Sequence, residues 1–187
     1  KRRELNRRIE TYESGKRELI DRLADAETAD DEFWTAAVGA GDSLELLFER
    51  IDAAEESIVV VATDVSAQFD VDREGPELLE RLLAAIRSDV DVSVLISPSV
   101  FDDARAAVDE DRATLTIAQG PFELRITEDA YGNFYLIDGE EVCLEVADPL
   151  SPDRLFGMLD LRDRGFAARV NDGFETAWAE GTVVDEV

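Results

Sequence analysis

Three aspartates in one polar segment are the strongest candidates for metal-assisted chemistry in this chain. Asp64, Asp70 and Asp72 follow the β-branched run at 57–63, which is typical of a buried strand. Open α/β sheets bind ligands beyond the carboxyl ends of their strands, and carboxylates there can hold a divalent metal that activates water. The segment lacks the spacing and the glycine of a calcium loop. We therefore predict no metal site, and a stand-alone metal-dependent hydrolase using this loop is an alternative function.

Histidine is absent from all 187 residues, which removes the usual general base and the commonest metal ligand. The single cysteine, Cys143, excludes an internal disulfide framework and a thiolate zinc site. It lies in an alternating apolar segment and is predicted to be buried, with a redox-sensing role as the alternative. No glycine-rich phosphate loop is present. The sequence thus predicts no catalytic residue and no cofactor.

The charge of the chain points to its solvent. Asp and Glu total 45 against 19 Lys and Arg, a formal net charge of −26, and only Lys1 and Lys16 are lysines. An acidic excess with few lysines is typical of haloarchaeal proteins, in which molar salt shortens the Debye length to about 3 Å. This charge argues against the segment itself binding nucleic-acid phosphates. Without a long apolar run or a signal-peptide pattern, we predict a cytoplasmic protein that does not enter the membrane.

Residues 1–28 are predicted to form one helix. Alternating spacings of four and three, the pattern of a heptad seam with Lys16 at one core position, connect Leu5, Ile9, Tyr12, Lys16, Leu19, Leu23 and Ala26. We predict a linker that dimerises as a coiled coil; the alternative is an amphipathic helix packed on its own domain. Because the chain begins with Lys1, we expect a further portion upstream. The predicted dimerisation residues are Leu5, Ile9, Tyr12, Leu19 and Leu23.

Residues 29–187 have the pattern of one α/β domain, with a mixed sheet flanked by helices. Buried strands are predicted at 57–63, 91–97 and 113–119, with helices between them, and this order favours a parallel arrangement. Three closely spaced strands follow at 122–127, 132–138 and 141–147, the last two joined by Asp138-Gly139, a hairpin signal. A helix is predicted from Ser151-Pro152-Asp153 onward, and a final helix from Phe166 to Gly181.

The order of these segments resembles a known family. The resemblance is carried by Phe33-Trp34, IDAAEES, IVVVAT, LLERLLAAIRSDVDVSVLIS, GNFYLIDGEEVCL and the terminal FETAWAEG. Together they resemble the regulatory domain of TrmB-like archaeal transcriptional regulators, which has a phospholipase D-like fold. The resemblance spans about residues 30–181, and residues 1–28 match that family's helical linker. It implies an upstream winged helix-turn-helix that binds DNA, a homodimer, and a small-molecule effector such as a sugar or another metabolite.

Active phospholipase D-like proteins use an H-x-K-x-x-x-x-D motif, in which histidine attacks phosphorus and lysine neutralises the phosphoryl charge. With Asp138 as the aspartate, Tyr131 takes the histidine position, Asn133 the lysine position, and Glu145-Val146 that of the following Gly-Ser. Phosphodiester chemistry of this type is therefore excluded.

An abandoned catalytic cleft is a natural effector site. We predict a pocket formed by Tyr131, Asn133, Tyr135, Asp138 and Asp64. The first alternative is that these are turn residues and one core tyrosine; the second is a scaffold domain that dimerises without any ligand.

Overall fold

The computed structural model describes residues 33–63, 75–107, 120–128 and 132–184. In these ranges the strands are Phe33–Val38 (β1), Ser57–Ala62 (β2), Asp91–Ile96 (β3), Phe122–Ile126 (β4), Phe134–Ile137 (β5), Glu141–Asp148 (β6), Ser151–Arg162 (β7) and Thr182–Val183 (β8). The helices are Ala40–Ala53 (α1), Gly75–Arg87 (α2), Pro98–Ala107 (α3) and Arg164–Glu180 (α4). The predicted helix at 1–28, with its seam, lies outside the described residues.

The strands of the described ranges form one sheet in the order β1-β7-β6-β5-β2-β3-β4-β8. Strands β2, β3 and β4 are parallel, whereas β5 runs antiparallel to β2, β6 to β5 and β7 to β6. The prediction of an α/β domain with a mixed sheet flanked by helices is confirmed. Within the described ranges, no helix is long and apolar enough to cross a membrane.

Two apolar layers cover the faces of the sheet because successive side chains of a strand point to opposite sides. Ile58 and Val60 of β2 pack with α1 and α2, and Leu47 and Ile51 supply much of that contact from α1. On the other face, the valines at 59 and 61 pack with α4. Full burial of each such side chain contributes about 1.5–3 kcal/mol, so these layers fix the helices on the sheet.

The prediction of a helix starting at Ser151 is wrong, because Ser151–Arg162 is strand β7. All four residues from Met158 to Leu161 pair with β6; Met158 and Asp160 are fully buried on one face, and the alternate residues Leu159 and Leu161 are half-buried. This period of two is that of a strand. The long ladder with β6 supplies cross-strand hydrogen bonds that outweigh the local helix-start signal.

The third parallel strand also differs from the prediction. Strand β4, at Phe122–Ile126, pairs in parallel with β3. The predicted third parallel strand was at 113–119, and the segment that forms β4 was predicted to be the first of the three closely spaced strands. Residues 113–119 lie outside the described ranges. The edge strand β1 was not predicted, because its Ala-Ala pair has little strand propensity and the segment has no clear alternation.

Candidate functional site

The end of the sheet where the parallel strands finish carries a cluster of polar groups. Thr63 follows β2, and Gly132 and Asn133 precede β5, which runs antiparallel beside it. The Thr63 hydroxyl donates to the Gly132 carbonyl oxygen at 3.2 Å and accepts from the Gly132 N–H at 3.1 Å. These reciprocal bonds hold the start of β5 against the end of β2.

The Asn133 side chain links three strands. Its Oδ1 accepts a hydrogen bond from the Thr63 N–H at 2.9 Å, and its Nδ2 donates to Glu145 Oε2 at 2.9 Å. The backbones of Asn133 and Glu145 are also joined, because the Glu145 N–H donates to the Asn133 carbonyl oxygen at 3.1 Å. We call Thr63, Gly132, Asn133 and Glu145 the Asn133 network. It is neutral except for one carboxylate.

Asp138 lies at the opposite end of β5 from Asn133. Five residues of strand span about 16 Å at 3.3 Å per residue, so the two side chains do not share a pocket. The Asp138 carboxylate accepts hydrogen bonds from the backbone N–H groups of Glu55, Glu56 and Ser57, at 3.1, 2.8 and 2.9 Å. It thereby fastens the connection between α1 and β2 to the β5–β6 turn.

Tyr135 lies in the apolar layer beneath α1 and α2, with 3% of its surface exposed. Burial raises the pKa of its hydroxyl well above the ordinary value, and the carboxylate of Glu145 and the Cys143 side chain add to the shift. Of the predicted pocket, the structure thus describes Asn133, Tyr135 and Asp138, and these three do not line one cavity. Tyr131 and Asp64, like Asp70 and Asp72, lie outside the described residues.

A buried ionic cluster on β6 and β7 was missed by the sequence analysis. Arg50, from the last turn of α1, places its Nε 2.8 Å from Asp160 Oδ2 and 2.8 Å from Glu141 Oε1. The Nε of Arg162 lies 3.1 Å from the same Glu141 oxygen. Asp160 is fully buried, although it stands within an apolar stretch, and that unusual placement was the available signal.

The electrostatics of this cluster suit a structural role. Burial raises the pKa of Glu141, Asp160 raises it further, and Arg162 partly offsets both effects. Burial would lower the pKa of Arg50, but its hydrogen bond and attraction to Asp160 reverse the sign, so the pKa is raised. The prediction that Cys143 is buried is confirmed, and burial together with Asp160 and Glu141 raises the pKa of its thiol. A raised pKa is the opposite of what a reactive thiolate requires.

Comparison with known proteins places this geometry in context. Residues 28–184 match a protein family described as Domain of unknown function (DUF7436). The chain belongs to the DUF7436 family. Comparison of this DUF7436 chain with curated proteins gives no significant match.

Several solved structures share the fold of the DUF7436 chain. One is TrmBL2, an archaeal chromatin protein, with a TM-score of 0.63, 16% identity, and coverage of 98% of this chain and 66% of TrmBL2. Another is Nuc from Salmonella typhimurium, a phospholipase D family member, with a TM-score of 0.59, 16% identity, and coverage of 82% and 99%. Phosphatidylserine synthase from Haemophilus influenzae gives a TM-score of 0.60, 13% identity, and coverage of 83% and 40%. The chain therefore has a phospholipase D-like fold and spans about two thirds of the length of TrmBL2.

The fold gives the motif spacing a structural meaning in the DUF7436 chain. Asn133 and Glu145, which the spacing sets at the lysine and Gly-Ser positions, are joined by a hydrogen bond across β5 and β6. Under the spacing predicted from the sequence, the lysine position holds an amide that is hydrogen-bonded to a carboxylate. A carboxylate raises the energy of a phosphoryl group nearby, whereas a lysine lowers it.

Proposed function

We propose that this chain is the effector-sensing and dimerising domain of a TrmB-type archaeal transcription regulator, and that it has no catalytic activity. The likeness to TrmBL2 covers 98% of the chain, whereas the likeness to Nuc and to phosphatidylserine synthase covers 82% and 83%. TrmBL2 is described as an archaeal chromatin protein with a novel mode of DNA binding. This breadth of coverage favours the regulator over the enzymes as the functional relative.

The observation that carries the proposal is the Asn133 network. Both the carbonyl oxygen and the nitrogen of the Asn133 amide are held by partners, and one partner is the carboxylate of Glu145. Such a network contains a carboxylate and no cation, so it disfavours anions. The ligand class that fits it is an uncharged polyhydroxyl compound or another neutral metabolite, in agreement with the effector that the resemblance implies.

The charge supports the proposal that a different part of the regulator binds DNA. At a net charge of −26, this domain repels a phosphate backbone at ordinary salt. In the proposal, DNA is contacted by a winged helix-turn-helix upstream, and this domain changes the dimer when an effector binds. The same charge, screened in molar salt, is expected of a haloarchaeal cytoplasmic protein.

The effector half of the proposal is tested by thermal shift in molar KCl with a panel of neutral sugars and polyols. We expect at least one compound to raise the midpoint of unfolding, because a ligand that binds only the folded state stabilises it. Asn133→Ala should need at least tenfold more ligand to give the same rise in the unfolding midpoint. The matched control Asn171→Ala, on α4, should respond to the ligand as the wild type does. A ligand that stabilises all three chains equally binds elsewhere and would contradict this placement.

A further inference from the structure

Strand β1 is the end strand of the sheet and lacks the usual protection of an edge. Its six residues, FWTAAV, contain no charge and no proline, in a chain of which 34% is charged. Proteins usually guard an edge strand with charged residues, proline, a bulge or very short length, because its free backbone groups can pair with another chain. Within the part of the chain that the structure describes, no strand lies beyond β1.

The opposite end of the sheet has the protection that β1 lacks. Strand β8 contains only Thr182 and Val183, so it offers little backbone for pairing. The adjacent β4 carries Arg125, whose Nη1 donates to the Trp178 carbonyl oxygen at 2.6 Å and whose Nη2 lies 2.6 Å from Glu123 Oε1. Among the described strands, the contrast between the two ends singles out β1 as the edge available for pairing.

Strand β1 is also firmly attached to the sheet. The Gly39 N–H that follows it donates to the Phe156 carbonyl oxygen of β7 at 2.9 Å. A Cβ on Gly157 would clash with the Ala37 carbonyl oxygen, so the bare glycine lets the two strands lie this close. A strand that pairs with the outer side of β1 would therefore add to a sheet in which β1 is already held in place.

We infer that β1 pairs antiparallel with β1 of a second copy of this chain and so joins two sheets across a two-fold axis. Charge favours a second copy as the occupant: at −26, most surfaces of the molecule repel a second copy at ordinary salt, whereas the six residues of β1 contribute no charge to such a contact. An antiparallel pair about a two-fold axis is the isologous contact expected of a homodimer. This inference rests on the dimerisation included in the proposed function and assigns it a surface.

Disulfide crosslinking of the full chain in molar KCl tests the inference. Residues near the axis of such a pair have Cβ atoms about 4.5–5.5 Å apart, close to disulfide range. Thr35→Cys and Ala36→Cys should therefore give, on mild oxidation, roughly tenfold more covalent dimer than Val183→Cys on β8, since pairing raises the effective concentration of the thiols. The wild type serves as the blank because Cys143 is fully buried.

Light scattering of the wild type separates the possible failures. A dimer that crosslinks through β1 and not through β8 supports the inference. A dimer with no β1 crosslink, or with equal crosslinking at Val183→Cys, overturns the inference and leaves the proposed dimerisation intact; this is also the result expected if residues 1–32 cover the edge. A monomer overturns both the inference and the dimeric part of the proposed function, while the sugar-binding experiment still tests the effector part.

Discussion

At the scale of single residues, Asn133 and Asp138 share one motif spacing but have different surroundings. Asn133 stands where the parallel strands end and connects β2, β5 and β6. Asp138 adopts a positive φ of 51° in the β5–β6 turn, and its carboxylate accepts hydrogen bonds from backbone N–H groups. Asn133 is the residue at which we propose a ligand site, whereas the bonds of Asp138 are those of a structural clasp.

The clasp can be tested by removing its carboxylate. Asp138→Ala deprives three backbone N–H groups of a charged acceptor, and we expect a loss of roughly 1–3 kcal/mol in the free energy of unfolding, since bonds to charged groups contribute about 1.5–3 kcal/mol and water partly replaces these. Thermal or denaturant unfolding would measure it. Asp138→Asn tolerates the positive φ and keeps one acceptor oxygen, so its loss should be smaller. Equal stability of Asp138→Ala and the wild type would show that the clasp is not needed.

The residue-scale chemistry was only partly predictable from the sequence. The motif spacing located Asn133 and Glu145, but not that they bind each other, because that contact depends on the register of β5 against β6. The pair Arg50 and Asp160 is separated by 110 positions, and no local pattern relates the two residues. A buried ion pair of this kind becomes visible only when the helix has been placed on the sheet.

At the scale of elements, periodicity predicted most of the fold and failed where two patterns competed. The β-branched runs of β2 and β3 and the apolar stripes of α1 and α2 lie where the sequence indicated. In β7, the Ser-Pro-Asp start and the clustered Met158, Leu159 and Leu161 resemble a helix. The true period of two appears only once Asp160 is understood as a buried partner of Arg50.

The attachment of β1 to β7 depends on one glycine. Gly157→Ala would force its new Cβ against the Ala37 carbonyl oxygen, so β1 must move away and lose contact with β7. We expect at least tenfold faster amide hydrogen exchange across residues 34–38 and a lower unfolding temperature. Gly173→Ala is the control: no atom lies within 4 Å of its added Cβ, and alanine favours a helix by up to about 1 kcal/mol. Unchanged exchange in Gly157→Ala would show that β1 tolerates the shift.

At the scale of the whole molecule, the fold does not decide the function, whereas the charge and the composition bear on it. A phospholipase D-like fold is shared with enzymes, so the fold alone does not decide function. The charge of −26 and the missing histidine are properties of this sequence, and they weigh against both nucleic-acid contact and phosphohistidine chemistry. The non-catalytic binding role is therefore a proposal that rests on the residues of this chain and not on its fold.

The central claim, that the Asn133 network binds and does not catalyse, is tested most directly by phosphodiester hydrolysis. The release of nitrophenolate from bis(4-nitrophenyl) phosphate would be followed in molar KCl, with and without Mg²⁺, beside an active phospholipase D-type nuclease assayed under its own conditions. The account predicts a rate equal to that of protein-free buffer in both conditions. Hydrolysis above that background, lost in Asn133→Ala and kept in Asn171→Ala, would contradict it, and hydrolysis that requires Mg²⁺ would favour the metal-dependent alternative.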